Sequence, residues 1–218
     1  AAAVGNYRLR ITSERHDPYS NTVVVNVLPA TLSPVDTSFT SQLPAGFSPT
    51  DLRAFAQDGS FIVELNSGTT ALRLNSDGSL APGFNYPTSA GPVLAGFPDG
   101  HLITANAPYL LAANGTPLAF TLPLAFDPLQ PLSGAALAAD GKFYLSQGVT
   151  IVRFRTDGSV DPTFSFSANS DVAATAYAID RQGRLYVNAR RVDPNPNNYP
   201  PSWNVIYRLD LSGAKDAA

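Results

Sequence analysis

Few side chains in this sequence have the type and spacing to do chemistry. The two histidines, His16 and His101, lie 85 residues apart with no cysteine to support them, a poor basis for a metal site or a nucleophile–base pair. Glu14 and Glu64 are the only glutamates, and no pair of aspartates is placed as a glycosidase acid and base would be. No G-x-S-x-G, H-E-x-x-H or phosphate-binding loop occurs. The expectation is a non-enzymatic chain with no catalytic, metal-binding or cofactor-binding residues. The remaining aspartates leave room for a cluster with Arg or His at a fold axis, so a hydrolase or lyase stands as the weakest alternative.

Two other sets of residues invite a functional reading. Arg73, Arg153 and Arg208 each stand five positions before a glycine. Three such arginines could line an anion site, but their recurrence fits ties between packed repeats, with guanidinium donors bonded to carbonyls or carboxylates. The segment from Val192 to Trp203 holds the only Trp together with Tyr199, Asn195, Asn197, Asn198 and four prolines. Aromatics stiffened by proline make a contact surface for protein or sugar. The plainer reading packs Trp203 at the base of a strand and leaves the loop tip in solvent.

The elements that must position these residues are short strands. Apolar runs of about four to six residues alternate with Gly, Pro, Asn and Asp, and no window offers a convincing amphipathic helix. Turn glycines recur at Gly59, Gly100, Gly141 and Gly183, spaced 41, 41 and 42 residues apart. A second glycine follows each, at Gly78, Gly115, Gly158 and Gly213, and an aromatic lies beyond three of these, at Phe84, Phe120 and Phe164. A period near forty with four strands per unit is the pattern of propeller blades. Asp77-Gly78 and Asp157-Gly158, set between alternating runs, predict type I′ hairpin turns. A d-type strand at Asp36–Phe39 precedes the first unit, and the last unit has no fourth strand of its own. The expected architecture is all-β, a propeller of four four-stranded blades, either closed by that N-terminal outer strand or part of a larger ring. The last unit departs from the others, with 30 residues between its glycines against 19, 15 and 17 before.

Arg73-Leu-Asn-Ser-Asp-Gly-Ser-Leu-Ala-Pro-Gly-Phe84 and Arg153-Phe-Arg-Thr-Asp-Gly-Ser-Val-Asp-Pro-Thr-Phe164 resemble the bacterial delta-60 repeat, R-L-x-x-D-G-x-x-D-x-x-F after a D-G-[KR]-[IL] strand. The resemblance covers residues 35 to 213. It is degraded in the second unit, where Leu110 replaces the Arg and Asn114-Gly115 replaces Asp-Gly. It implies a propeller-type fold at a bacterial surface and supplies no catalytic residues. Residues 1–30 resemble the last two strands of a disulfide-free bacterial immunoglobulin-like domain, with strands at Gly5–Ile11 and Thr22–Val27. The expected domains are therefore 1–30 and 31–218.

Composition narrows the partners. A net charge of -3 with no basic block longer than Arg190-Arg191 argues against nucleic acid. Nothing approaches a membrane span, no signal peptide is visible, and Ala1-Ala2-Ala3 reads as a start partway through a longer precursor. Zero Cys and only 14% charged residues suit a secreted, periplasmic or cell-surface protein. Other protein subunits or surface components are the expected partners, with carbohydrate as the alternative through Tyr199 and Trp203.

Overall fold

The computed structural model describes residues 4–7, 23–26, 39, 42–44, 49–65, 70–168, 171–192, 195 and 202–216. The chain forms two compact units, Ala1–Thr40 and Ser41–Ala218. In the first, β1 (Val4–Tyr7) pairs antiparallel with β2 (Val23–Asn26), Val4 opposite Asn26 and Tyr7 opposite Val23. The remainder of the hairpin expected there lies outside the described residues.

The second unit is all-β, and among its described residues the only helical turn is the 3-10 turn Thr88–Ala90. Its strands form four three-stranded antiparallel sheets, each in the order of the chain. Sheet 1 holds β3 (Pro49–Phe55), β4 (Phe61–Leu65) and β5 (Thr70–Leu74). Sheet 2 holds β6 (Val93–Gly96), β7 (Leu102–Thr104) and β8 (Leu110–Leu111). Sheet 3 holds β9 (Gly134–Leu137), β10 (Phe143–Gln147) and β11 (Thr150–Phe154). Sheet 4 holds β12 (Asp171–Ile179), β13 (Leu185–Val192) and β14 (Ser202–Leu209).

The middle strands explain the packing. All five residues of β10, Phe-Tyr-Leu-Ser-Gln, are buried, because both faces of an inner sheet meet a neighbour. Ile62, Ala71, Val93 and Leu102 share one apolar cluster of sheets 1 and 2. Ile103 meets Phe143, Leu145 and Phe154 between sheets 2 and 3, and Tyr144 and Ile151 meet Ala176, Leu185 and Leu209 between sheets 3 and 4. The first strands lie side by side in sequence, β3 with β6, β6 with β9, and β9 with β12. One cavity of about 330 Å³ is lined by all four, with Arg53, Ala95, Gly96, Ala135 and Tyr177 on its wall. Small residues there let the strand backbones converge. The result is a propeller-like succession of sheets.

Two expectations need correction. The Asp-Gly turns are not two-residue type I′ hairpins. In the first, the Gly59 amide donates to the Ala56 carbonyl and the Ala56 amide to the Ser60 carbonyl, which makes a three-residue loop ending in a positive-φ glycine, φ 82° at Gly59. The Asp58 carboxylate then accepts the Ser60 amide at 2.9 Å. This side-chain bond is the alternative turn chemistry open to Asp.

Among the described residues each sheet has three strands rather than the four expected. After each second glycine the chain makes a single bridge, Leu74 with Leu80, Leu111 with Pro117, Phe154 with Val160 and Leu209 with Lys215, and in the first three units it then departs. Pro82 and Pro162 follow at once in the first and third units, and proline has no amide with which to extend a ladder. Residues 36–38 of the expected N-terminal outer strand lie outside the described residues, and Phe39 is not in a strand.

The departing tail goes to the next sheet. Asn85 donates its amide to Asn114, and Ser165 donates its amide to Ser212, at 2.9 and 2.8 Å. Each crossing passes over the second turn glycine of the sheet it reaches. A Cβ on Gly115 (φ 85°) would strike the Asn85 carbonyl, and one on Gly213 (φ 91°) the Ser165 carbonyl. Gly115→Ala is therefore expected to lower stability by about 3 kcal/mol, positive φ and steric overlap combined. Gly83→Ala, at φ 76° with nothing within 4 Å, should lose only about 1 kcal/mol. Urea denaturation of the two variants compares them, and equal losses would mean the crossing does not dictate the glycine.

Candidate functional site

The recurring arginines sit where one sheet meets the next. Arg153 on β11 donates from Nε to Asp161 at 2.9 Å, from one terminal nitrogen to the Leu211 carbonyl on the sheet 4 turn at 2.7 Å, and from the other to the Thr163 hydroxyl at 2.7 Å. Its guanidinium lies 5.2 Å from the Phe164 ring centroid and 5.9 Å from that of Tyr144, within reach of a cation–π contact. The Thr163 hydroxyl foremost, then its amide and the Arg153 charge, outweigh burial and hold the Asp161 carboxyl at about 2.

The same parts recur with telling gaps. Arg208 on β14 bonds Asp216 through Nε at 2.7 Å. Arg73 on β5 donates to the Gly100 carbonyl on sheet 2 and to the Ser60 hydroxyl, and lies 5.6 Å from the Phe84 ring. Its Nε is buried with no acceptor. Ala81 occupies the position, eight residues after the Arg, that Asp161 and Asp216 fill in the other units.

Asp77 and Asp157 both stand at turns. Each accepts the amide and the hydroxyl of the serine two residues on, Ser79 and Ser159, and these bonds, the hydroxyl's first, hold both carboxyls below the usual range. Gly78 and Gly158 follow with φ of 87° and 81°. These four residues shape turns.

Trp203 is the second residue of β14, opposite Arg191, and is 38% exposed. Strand alternation places it on the side of Val205 and Tyr207, both of which pack toward sheet 3. Tyr199, Asn197 and Asn198 lie outside the described residues, and Asn195 is described without a strand. His101 pairs with Asp99 at 2.8 Å, and His16 lies outside the described residues. Among the described residues no cluster of three or more His, Asp or Glu could hold a metal ion, and no helix is long and apolar enough to cross a membrane.

Three features were not foreseen. Glu64 on β4 is buried, accepts from Arg53 at 2.9 Å and takes the Val93 amide of sheet 2. Burial first, then the charge of Glu64, pushes the Tyr86 hydroxyl well up. Asp171 on β12 is enclosed by Tyr207, Arg191 and Lys215. Burial raises its carboxyl, and these three donors more than reverse that.

The third feature is a hollow between sheets 2 and 3. Leu110 stands where the other units have Arg, and Leu118 where two of them have Asp. Backbone geometry confirms the equivalence, since Leu118 donates to the Leu110 carbonyl as Asp161 does to that of Arg153. With no guanidinium to fill it, the seam holds a cavity of about 460 Å³ walled by Phe97, Leu110, Leu118, Phe120 and Phe143, with Asp99, His101 and Asp157 at its edge. The Leu110 substitution was visible in the sequence as a degraded repeat; that it empties a space required coordinates.

Comparison with known proteins adds a fold-level likeness. Residues 138–164 match a family described as "Domain of unknown function (DUF5122) beta-propeller". No curated protein matches. Among solved structures, selenomethionine-substituted virginiamycin B lyase from Staphylococcus aureus aligns at 16% identity and a TM-score of 0.46, over 76% of this chain and 67% of that one.

The seam geometry yields two expected outcomes. Asp161→Ala strips the buried Arg153 of its counter-charge and should lower stability by roughly 3 kcal/mol, whereas Ala81→Asp supplies the missing acceptor to Arg73 and should raise it by about 1–2 kcal/mol. Thermal melts of both variants check the opposite signs. Because the Asp161 carboxyl is depressed to about 2 in the folded chain, its contribution is complete above the unfolded value near 4 and is lost as pH falls toward 2. Stability of wild type and Asp161→Asn measured from pH 5 to 2 should therefore converge; parallel curves would show that the pair does not act in this way.

Proposed function

We propose that this chain is a non-catalytic interaction and assembly module of a bacterial surface or secreted protein, acting through the outward face of sheet 4. The observation that carries this reading is a comparison within the molecule. Counting from Gly141 and Gly183, the face of sheet 3 formed by Ala136, Tyr144, Ser146, Ile151 and Arg153 corresponds to Ala178, Tyr186, Asn188, Ile206 and Arg208 of sheet 4. Sheet 4 covers the first set. Ile151 is 5% exposed, but Ile206 is 75% exposed, and the side chains of Arg153 and Arg208 are 5% and 35% exposed. Burying an isoleucine contributes about 1.5–3 kcal/mol, so this face is shaped to be covered by another apolar sheet. Tyr177, on the axial strand beside it, is also exposed.

The covering sheet would present what sheet 4 shows to sheet 3, small residues on its first strand and Leu or Val on its second. A further unit of the delta-60 type, from this chain's own first sheet in a closed ring or from a neighbour in a larger assembly, has that character. The match of residues 138–164 to a propeller family supports the repeat assignment, and the separate compaction of Ala1–Thr40 accords with an immunoglobulin-like segment ahead of it. The absence of Cys and the sparse charge support a place outside the cytoplasm.

Sedimentation of the whole chain tests the reading. Self-association is expected at roughly 100 μM, where a contact of modest strength is well populated, and Ile206→Asp should return it to monomer without lowering its melting temperature. A wild-type chain that stays monomeric there and takes up no hydrophobic dye would count against an assembly face on sheet 4.

A further inference from the structure

A second observation, independent of the sheet 4 face, concerns the seam between sheets 2 and 3. In the seams on either side of it the space below the tail phenylalanine is occupied by a flat cation of the chain itself. Arg73 lies 5.6 Å from Phe84, and Arg153 lies 5.2 Å from Phe164. In the middle seam the phenylalanine remains as Phe120, but Leu110 has replaced the cation and Leu118 its carboxylate. Phe97 meets Phe143 edge-on at 5.5 Å and Phe120 lies 6.1 Å from Phe143, so three rings wall the vacated space.

We propose that this cavity is a binding site for a small flat aromatic cation, an aryl-guanidinium or aryl-amidinium, whose charged head takes the place that an arginine holds in the neighbouring seams. Three properties select that class. The space, about 460 Å³, lies in the range of small-molecule pockets and exceeds what a guanidinium group alone would fill, which calls for an aromatic body. Aromatic walls favour a cation over a neutral or anionic head. Neither Lys nor Arg is among the residues that line it, while Asp99 and Asp157 stand at its edge, and the one basic group, His101, is already paired with Asp99.

Calorimetric titration of the full chain with phenylguanidine tests the site, with benzamide as the neutral analogue and N-acetylarginine amide as a cation lacking the ring. Phenylguanidine should bind about tenfold more tightly than either. The paired change Leu110→Arg with Leu118→Asp, which rebuilds the cation and carboxylate of the third unit, should abolish binding. If that variant does not fold, Asp99→Asn with Asp157→Asn serves instead. Both positions are turn residues, and Asn114 already makes the equivalent turn bond in the second unit, accepting the Thr116 amide at 3.1 Å. This variant should weaken phenylguanidine several-fold and leave benzamide unchanged. Equal affinity for benzamide would overturn the cation assignment, and equal affinity for the arginine amide would overturn the aromatic one. Binding that survives the refilled seam, or no heat with any of the three, would overturn the site.

Discussion

The interaction on which this architecture depends is the passage of the first and third units' tails across the turn of the next sheet. A three-stranded sheet with two apolar faces is not stable in isolation. Here the chain leaves its own sheet after a single bridge and bonds to the neighbour's second turn, as Asn85 does at Asn114 and Ser165 at Ser212. That crossing ties successive sheets together through the backbone. It also dictates glycine at the point of contact, since no Cβ fits between the Gly115 or Gly213 backbone and the passing carbonyl. The arginines come second in this order of causes. A guanidinium placed in such a seam loses most of its water, so it persists only where nearly all its donors find acceptors, as those of Arg153 do with Asp161, Thr163 and Leu211.

Much of this was legible in the sequence. The glycines near forty-residue spacing marked the turns, and the alternating runs beside them marked the strands, because period-two patterning and a positive-φ residue are local requirements. The turn type was not legible from Asp-Gly alone. The residue before the Asp, such as Gln57 or Pro98, belongs to the loop, and only the hydrogen bonds show it. The missing fourth strand was written in Pro82 and Pro162, whose lack of an amide ends the ladder. Recognising this required knowing that the tail had another sheet to reach. At the candidate sites the division is similar. Arg73, Arg153 and Arg208 could be found by spacing, and so could Leu110 as an exception among them. The orphaned Nε of Arg73, the buried carboxylates of Glu64 and Asp171, and the hollow at Leu110 depend on contacts between units far apart in sequence, which no local pattern encodes.

The first and third seams share the backbone crossing, and all three differ in chemistry. One has a full complement of cation, carboxylate and ring, one lacks the carboxylate, and one lacks both charges. In the seam that lacks the carboxylate the tail crossing is still made, from Asn85 to Asn114. Positions freed from holding the seam can then vary in what they present to solvent. The same reasoning applies to sheet 4, where Arg208 retains Asp216 although no described neighbour covers its face.

Where a unit completes its neighbour instead of itself, as the first and third do, the instructions for one junction are split between two successive stretches of chain. Duplicating or deleting a stretch therefore leaves matching halves on either side of the cut. A gene built this way can lengthen or shorten by whole units without inventing a new fit, and no single unit records how many others belong beside it.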